Sequence, residues 1–209
     1  MMKTEERSCI DCGLKGCARG EKEYPEFCLT THMDKAVFDE AMACYEEPEN
    51  REVMLAAAQV EQEFYCKYTR VEETMEFANR IGAKKIGIAT CLALLKESRI
   101  LADVFRRHGF TVYGVGCKAG AVPKTELGID RCCCSTGKNI CNPILQAKLL
   151  NAAKTDLNVV VGLCVGHDSL FYKYAEALTT TLITKDRVLG HNPAAALYTI
   201  DSFYTRLKN

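Results

Sequence analysis

The chain has 209 residues, 48% of them hydrophobic and 26% charged, which suits one ordinary domain with an appendage or two small ones. Lys plus Arg and Asp plus Glu both count 27, so the formal net charge is zero. The basic surplus that nucleic acid or an anionic membrane surface requires is missing, and neither is expected as a partner.

The first residues, "MMKTEERSCID", contain no apolar core of a signal peptide. The longest apolar run, "LNVVVGLCVG", is far short of the roughly 20 residues of a membrane span. A cytoplasmic protein is expected, in which thiols stay reduced. Thirteen cysteines then read as metal ligands or reactive thiols rather than as a disulfide framework.

Residues 1–33 are polar and short of periodicity, and they carry Cys9, Cys12, Cys17 and Cys28 in the spacing C-x2-C-x4-C-x10-C. Four close thiols in a stretch too polar for its own core, with Gly13, Gly16 and Gly20 to permit tight turns, point to a metal site. Zinc would pin the segment by its four thiolates, and an iron–sulfur cluster would add electron transfer. The spacing is neither a paired-CxxC zinc ribbon nor a ferredoxin run, so the metal stays open.

A helical region is expected over 34–82. Thr31, three residues before Asp34, resembles a capping box, and Val37, Phe38, Ala41, Met42 and Tyr45 give one apolar face. A single long helix from about Arg51 to Arg80 follows, with Val53, Ala57, Val60, Phe64, Val71, Met75 and Ala78 on a core-facing stripe and Gly82 as its stop. Cys44 and Cys66, in these helices without partner spacing, read as small core residues.

From 83 to 209 the pattern alternates. "KKIGIAT", "FTVYGVG", "LNVVVGL" and "TTTLITK" read as strands; "LALLKESRILADVFRRHG", "PILQAKLLNAAK", "SLFYKYAEA" and "PAAALYTIDSFYTRL" read as helices. The fold class is therefore α/β: a parallel sheet of about four or more strands with helices on both faces, Rossmann-like, behind the cysteine-rich segment and the helical region. Such sheets bind ligands outside the carboxyl ends of their strands, where strand order reverses.

Cys91, Cys117 and Cys164 fall at those strand ends, His167 follows Cys164 by three residues, and Cys141 precedes "NP", a helix start with Asn142 as cap. Cys91, Cys117, Cys141 and Cys164 are thus candidates to bind a second metal centre or a substrate. Cys164 or Cys91 is the candidate nucleophile, with His167 as base. Asp168 could orient His167. His191, before Asn192 and Pro193, reads as a turn brace. Lys118, Lys185 and Arg187 could offer positive charge to an anionic ligand, and solvated surface is their expected place.

Three motifs fail on context. "GVGCKA" opens no clear helix, "STGKN" lacks P-loop spacing, and Cys9/Cys12 sit outside any βαβ unit. Cys132, Cys133 and Cys134 are expected on a loop over the site, because adjacent residues cannot easily aim three thiols at one ion.

The segments "CIDCGLKGC", "TRVEETMEFANRIGAKKIGIATC", "CNPILQAKLLN", "NVVVGLCVGHDSLF" and "KDRVLGHNP" resemble a family of metal-binding bacterial and archaeal proteins, domain of unknown function 1847. The resemblance implies metal binding through cysteines and supplies no reaction. Cys9, Cys12, Cys17 and Cys28 match its amino-terminal motif; Cys91, Cys117, Cys141, Cys164 and His167 match its α/β part. The stretch between Cys117 and Cys141 departs from the pattern. The expectation is an iron–sulfur or other metal-dependent redox protein with a redox partner or small-molecule substrate. The alternatives are a zinc-stabilised thiolate enzyme, or a metal store or thiol sensor.

Overall fold

The computed structural model describes residues 7–21 and 23–208. The chain divides into two compact units, one running to Ala58 and the other from Gln59 onward. Among the described residues no helix is long and apolar enough to cross a membrane.

In the first unit, a turn of 3-10 helix at Cys9–Asp11 is followed by α1 (Gly16–Arg19), α2 (Leu29–His32), α3 (Lys35–Cys44) and the start of α4 (Pro48–Phe64). Asp34, not Thr31, caps α3, accepting a hydrogen bond from the Ala36 amide at 2.8 Å. The expected apolar face of α3 exists, but Val37, Phe38, Met42 and Tyr45 are all exposed. Cys44 is also exposed, against the expectation of a core thiol.

The long helix expected from Arg51 to Arg80 is two helices, α4 and α5 (Arg70–Arg80). The break has a local cause. Cys66 takes a left-handed backbone (φ 56°) and is exposed rather than buried. Thr69 then caps α5 in a reciprocal box with Glu72, whose carboxylate accepts from the Thr69 amide at 2.8 Å. The turn lets Arg80 reach back to Glu63 at 2.7 Å and to Gln59 at 3.0 Å. Val60, Met75 and Ala78 of the stripe are buried, as a core-facing stripe requires.

The sheet consists of β1 (Lys85–Thr90), β2 (Thr111–Gly116), β3 (Leu157–Val161) and β4 (Leu178–Ile183), all parallel, in the order β2-β1-β3-β4. The fold is α/β, as expected. Each strand segment read from the sequence holds one of them. Helices α6 (Leu95–Arg107), α7 (Pro143–Ala152) and α8 (His167–Tyr174) connect the strands. The last helix, α9 (Ala194–Tyr198), is much shorter than the expected "PAAALYTIDSFYTRL".

Side-chain alternation sorts the strands into two cores. Ile86, Ile88, Leu157, Val159 and Val161 meet Met75, Leu101 and Phe105 of α5 and α6. Ala89, Val115 and Val160 meet Ala147, Leu150 and Phe171 of α7 and α8. At the amino ends, the Asp156 carboxylate accepts from the Lys84 and Lys85 amides at 2.8 and 2.7 Å, tying β1 to β3. At the β4 edge, Arg70 donates to the Thr181 carbonyl at 2.8 Å. Strand order reverses between β1 and β3, so the carboxyl ends of these two strands flank the crevice that such sheets offer to ligands.

Candidate thiol site at the carboxyl edge

Cys91 follows β1 directly and caps the 3-10 turn Leu92–Leu94 that leads into α6. Its amide donates to the Val161 carbonyl of β3 at 3.1 Å. Cys117 follows β2, and its amide donates to the Thr90 carbonyl at 2.8 Å. Cys141 precedes Asn142, which caps α7 by accepting from the Leu145 amide at 3.0 Å, while the Asn142 amide donates to the Cys117 carbonyl at 2.7 Å. Cys91 and Cys141 both pack against the core cluster that contains Cys117. Three sequence-distant cysteines thus pack on one core cluster at the carboxyl end of the sheet.

Gln146 of α7 braces this end from below. Its amide donates to the Thr90 carbonyl at 3.1 Å and the Val115 carbonyl at 2.7 Å, clamping the ends of β1 and β2 together. Its side-chain oxygen is buried without a partner among the described residues.

Cys164 lies three residues past β3, and its carbonyl accepts from the amides of His167 and Asp168 at the start of α8. Two cations arrive from the loop after β4. Lys185 is 8% exposed, and its positive charge helps lower the Cys91 thiol pKa; Arg187 donates to Cys164 Sγ at 3.0 Å. The expectation of solvated surface is therefore wrong for Lys185. The reason lies in backbone shape: Gly162 takes a left-handed conformation (φ 65°), and its missing Cβ leaves room for the Lys185 and Leu94 side chains. Lys118 is also engaged, donating to the Asn139 carbonyl at 2.5 Å.

The electrostatics follow from these placements. The hydrogen bond from Cys117, aided by the Ala93 amide and Lys185, outweighs burial and holds the Cys91 thiol down to about 5. Cys117, which shares that bond and is 4% exposed, is pushed far above the ordinary thiol range. The two thiols are therefore pushed in opposite directions, Cys91 towards the thiolate and Cys117 towards the thiol. Burial, then the nearby Lys118 charge, lowers the His167 pKa and so favours the neutral imidazole. His191 accepts from the Asp186 amide at 3.2 Å through Nδ1 and braces its turn.

A cavity of 460 Å³ lies between α6 and β2 on the opposite sheet face, lined by Ser98, Arg99, Arg106, Gly114, Thr90 and Gly116 among others. Its upper rim is formed by Thr90 and Gly116, which immediately precede Cys91 and Cys117. Sequence reading did not find it, since glycines on one strand face carry no sign of the space they leave.

In the amino-terminal unit, Cys9 and Cys12 sit on one tight turn, the Cys12 amide donating to the Cys9 carbonyl at 3.2 Å. Gly16 is buried, and a Cβ there would lie 2.6 Å from the Glu23 carbonyl oxygen, so the returning chain needs glycine. Cys28 caps α2; partial burial raises its thiol pKa, but hydrogen bonds from Thr30 and Thr31 outweigh this and lower it. The four thiols are of the donor type that thiophilic metals take, and among the described residues no side chain of their segment is buried. Among the described residues no three His, Cys, Asp or Glu side chains converge to form a metal-ligand group. Cys132, Cys133 and Cys134 lie on a 3-10 turn, Arg131–Thr136, capped by Asp130.

Residues 28–182 match the family described as protein of unknown function (DUF1847). The chain belongs to that family. It is also 41% identical over 191 residues to the uncharacterized protein MJ0455 of Methanocaldococcus jannaschii, covering 91% of this chain and 93% of the relative. No solved structure matches. The matched family segment contains Cys28, Cys91, Cys117, Cys141, Cys164 and His167, while Cys9, Cys12, Cys17, Lys185 and Arg187 lie outside it.

Proposed function

We propose that this is a metal-binding thiol redox protein of the cytoplasm, with an amino-terminal metal and a thiol centre at the sheet's carboxyl edge. Cys9, Cys12, Cys17 and Cys28 would hold zinc or an iron–sulfur cluster. The ion would supply structure if zinc, and electron transfer if a cluster. Cys91, Cys117, Cys141 and Cys164, with His167, form the second centre, where a redox partner or small-molecule substrate reacts.

The observation that carries this reading is the meeting of Cys91, Cys117 and Cys141 at the ends of adjacent elements, with Lys185 held against Cys91. A buried ammonium beside a thiol costs desolvation, and a thiolate partner offsets it. Neutral His167 can accept a proton released there.

The test is metal and sulfide content of anaerobically prepared protein. Metal is expected in the wild type, lost when Cys9, Cys12, Cys17 and Cys28 become Ser, and kept when Cys91, Cys117, Cys141 and Cys164 do. A wild type that binds no metal overturns the reading. A colourless protein carrying only zinc overturns its iron–sulfur form.

The Cys91–Lys185 contact also favours a second reading, a zinc-stabilised enzyme that works through the Cys91 thiolate on an electrophilic small molecule. It requires a covalent adduct that Cys91→Ser abolishes while metal content stays intact.

A further inference from the structure

We propose that Cys91 and Cys117 are a reversible dithiol–disulfide couple, with Cys91 the attacking thiol, Cys117 the resolving one, and a disulfide-bonded molecule as the co-reactant. The inference rests on reading the edge as a thiol centre and names its substrate class.

Register carries it. Thr90 pairs with Gly116 in the parallel ladder of β1 and β2, so the next residues, Cys91 and Cys117, stand opposite each other. Neighbouring strands lie about 4.8 Å apart, inside the roughly 4.4–6.8 Å Cα separation that a disulfide spans. Both side chains turn to the same face and pack against one core cluster. Gln146 fixes the spacing by holding the carbonyls of Thr90 and Val115. Access is unequal: Cys91 is half-buried, whereas Cys117 is 4% exposed. An incoming disulfide therefore meets Cys91 first.

The chemistry balances without any further reagent. The Cys91 thiolate attacks one sulfur of R–S–S–R, that S–S bond breaks, and one RS⁻ leaves a mixed disulfide on Cys91. Cys117 then attacks Cys91 Sγ, its proton passing to the second departing RS⁻. Two protein thiols are oxidised by two electrons, and one disulfide is reduced to two thiols. The reverse sequence reduces the couple.

The probe is oxidised glutathione, added to reduced full-length protein, with disulfides mapped by mass spectrometry after the remaining thiols are alkylated. The wild type is expected to gain a Cys91–Cys117 link and to retain no glutathione at either residue. Cys117→Ser should hold one glutathione on Cys91, and Cys141→Ser should still form the link. Cys117 joined instead to Cys141, or both thiols left free to react with iodoacetamide, overturns the couple. The wild-type map needs no variant to fold.

A parallel sample with Cys9, Cys12, Cys17 and Cys28 replaced by Ser separates the two failures. Metal on that variant together with glutathione-resistant edge thiols overturns the thiol-centre reading itself. Resistant thiols without metal overturn the couple alone.

Discussion

A side chain at position 162 would place its Cβ 2.2 Å from Leu94 Cδ1 and 3.4 Å from Lys185 Nζ, on a backbone with φ of 65°. Gly162→Ala combines a clash with a left-handed backbone, and is expected to cost about 1–3 kcal/mol, read as a lowered urea midpoint. A midpoint equal to wild type would show that Leu94 and Lys185 move aside freely. The Cys91–Lys185 pair is read by rate. With its pKa held at about 5, Cys91 should keep its iodoacetamide rate, followed on its own peptide, as pH falls from neutrality towards that value. An ordinary thiol, near about 8.5, slows over the same range. Because the folded pKa of Cys91 is depressed, its contribution to stability is lost as pH falls through about 5, while Cys117, whose pKa is raised, withdraws stability above the unfolded thiol pKa. Lys185→Met should move the rate midpoint upward; an unmoved midpoint would separate the ammonium from the thiolate.

At the scale of elements, the capping box of Thr69 and Glu72 decides where α5 begins. Thr69→Ala should lower thermal stability by about 0.5–2 kcal/mol, checked by calorimetry, and no change would mean that packing alone starts the helix. The sequence "TRVE" contains this box, yet the apolar stripe runs across it at helical spacing and hides the break. Periodicity reports which face is buried, not whether the backbone is continuous. Strands were easier to read: "KIGIAT" and "LNVVV" are short, apolar and bounded by turn residues, which leaves few alternatives. Cys44 and Cys66 misled because cysteine's general preference for burial says nothing about whether a given turn faces a core.

For the whole molecule, one sheet organises two cores, and the thiols sit above the one built with α7 and α8. Phe171 is a fully buried aromatic side chain of that core. Phe171→Ala should cost about 3–5 kcal/mol in denaturant unfolding, and a loss under 1 kcal/mol would mean that the cavity collapses readily. Much of the candidate site was legible, since Cys91, Cys117 and Cys164 end strands and "CNP" starts a helix. The pairing of Cys91 with Cys117 was not, because it depends on strand order and register. The arrival of Lys185 was not either, because it depends on Gly162 leaving space from a different strand connection. The amino-terminal thiols were found by spacing alone, and among the described residues their segment has no buried side chain whose position could have been read.

The placement of Lys185 and Arg187 just beyond β4 has a consequence for the chain during synthesis. Every cysteine, Cys164 being the last, leaves the ribosome before the two cations do. A nascent chain halted before Leu178 would carry all the thiols and neither positive partner. The charge that Lys185 and Arg187 bring to the edge waits for the fourth strand, so unfinished chains present these thiols without it.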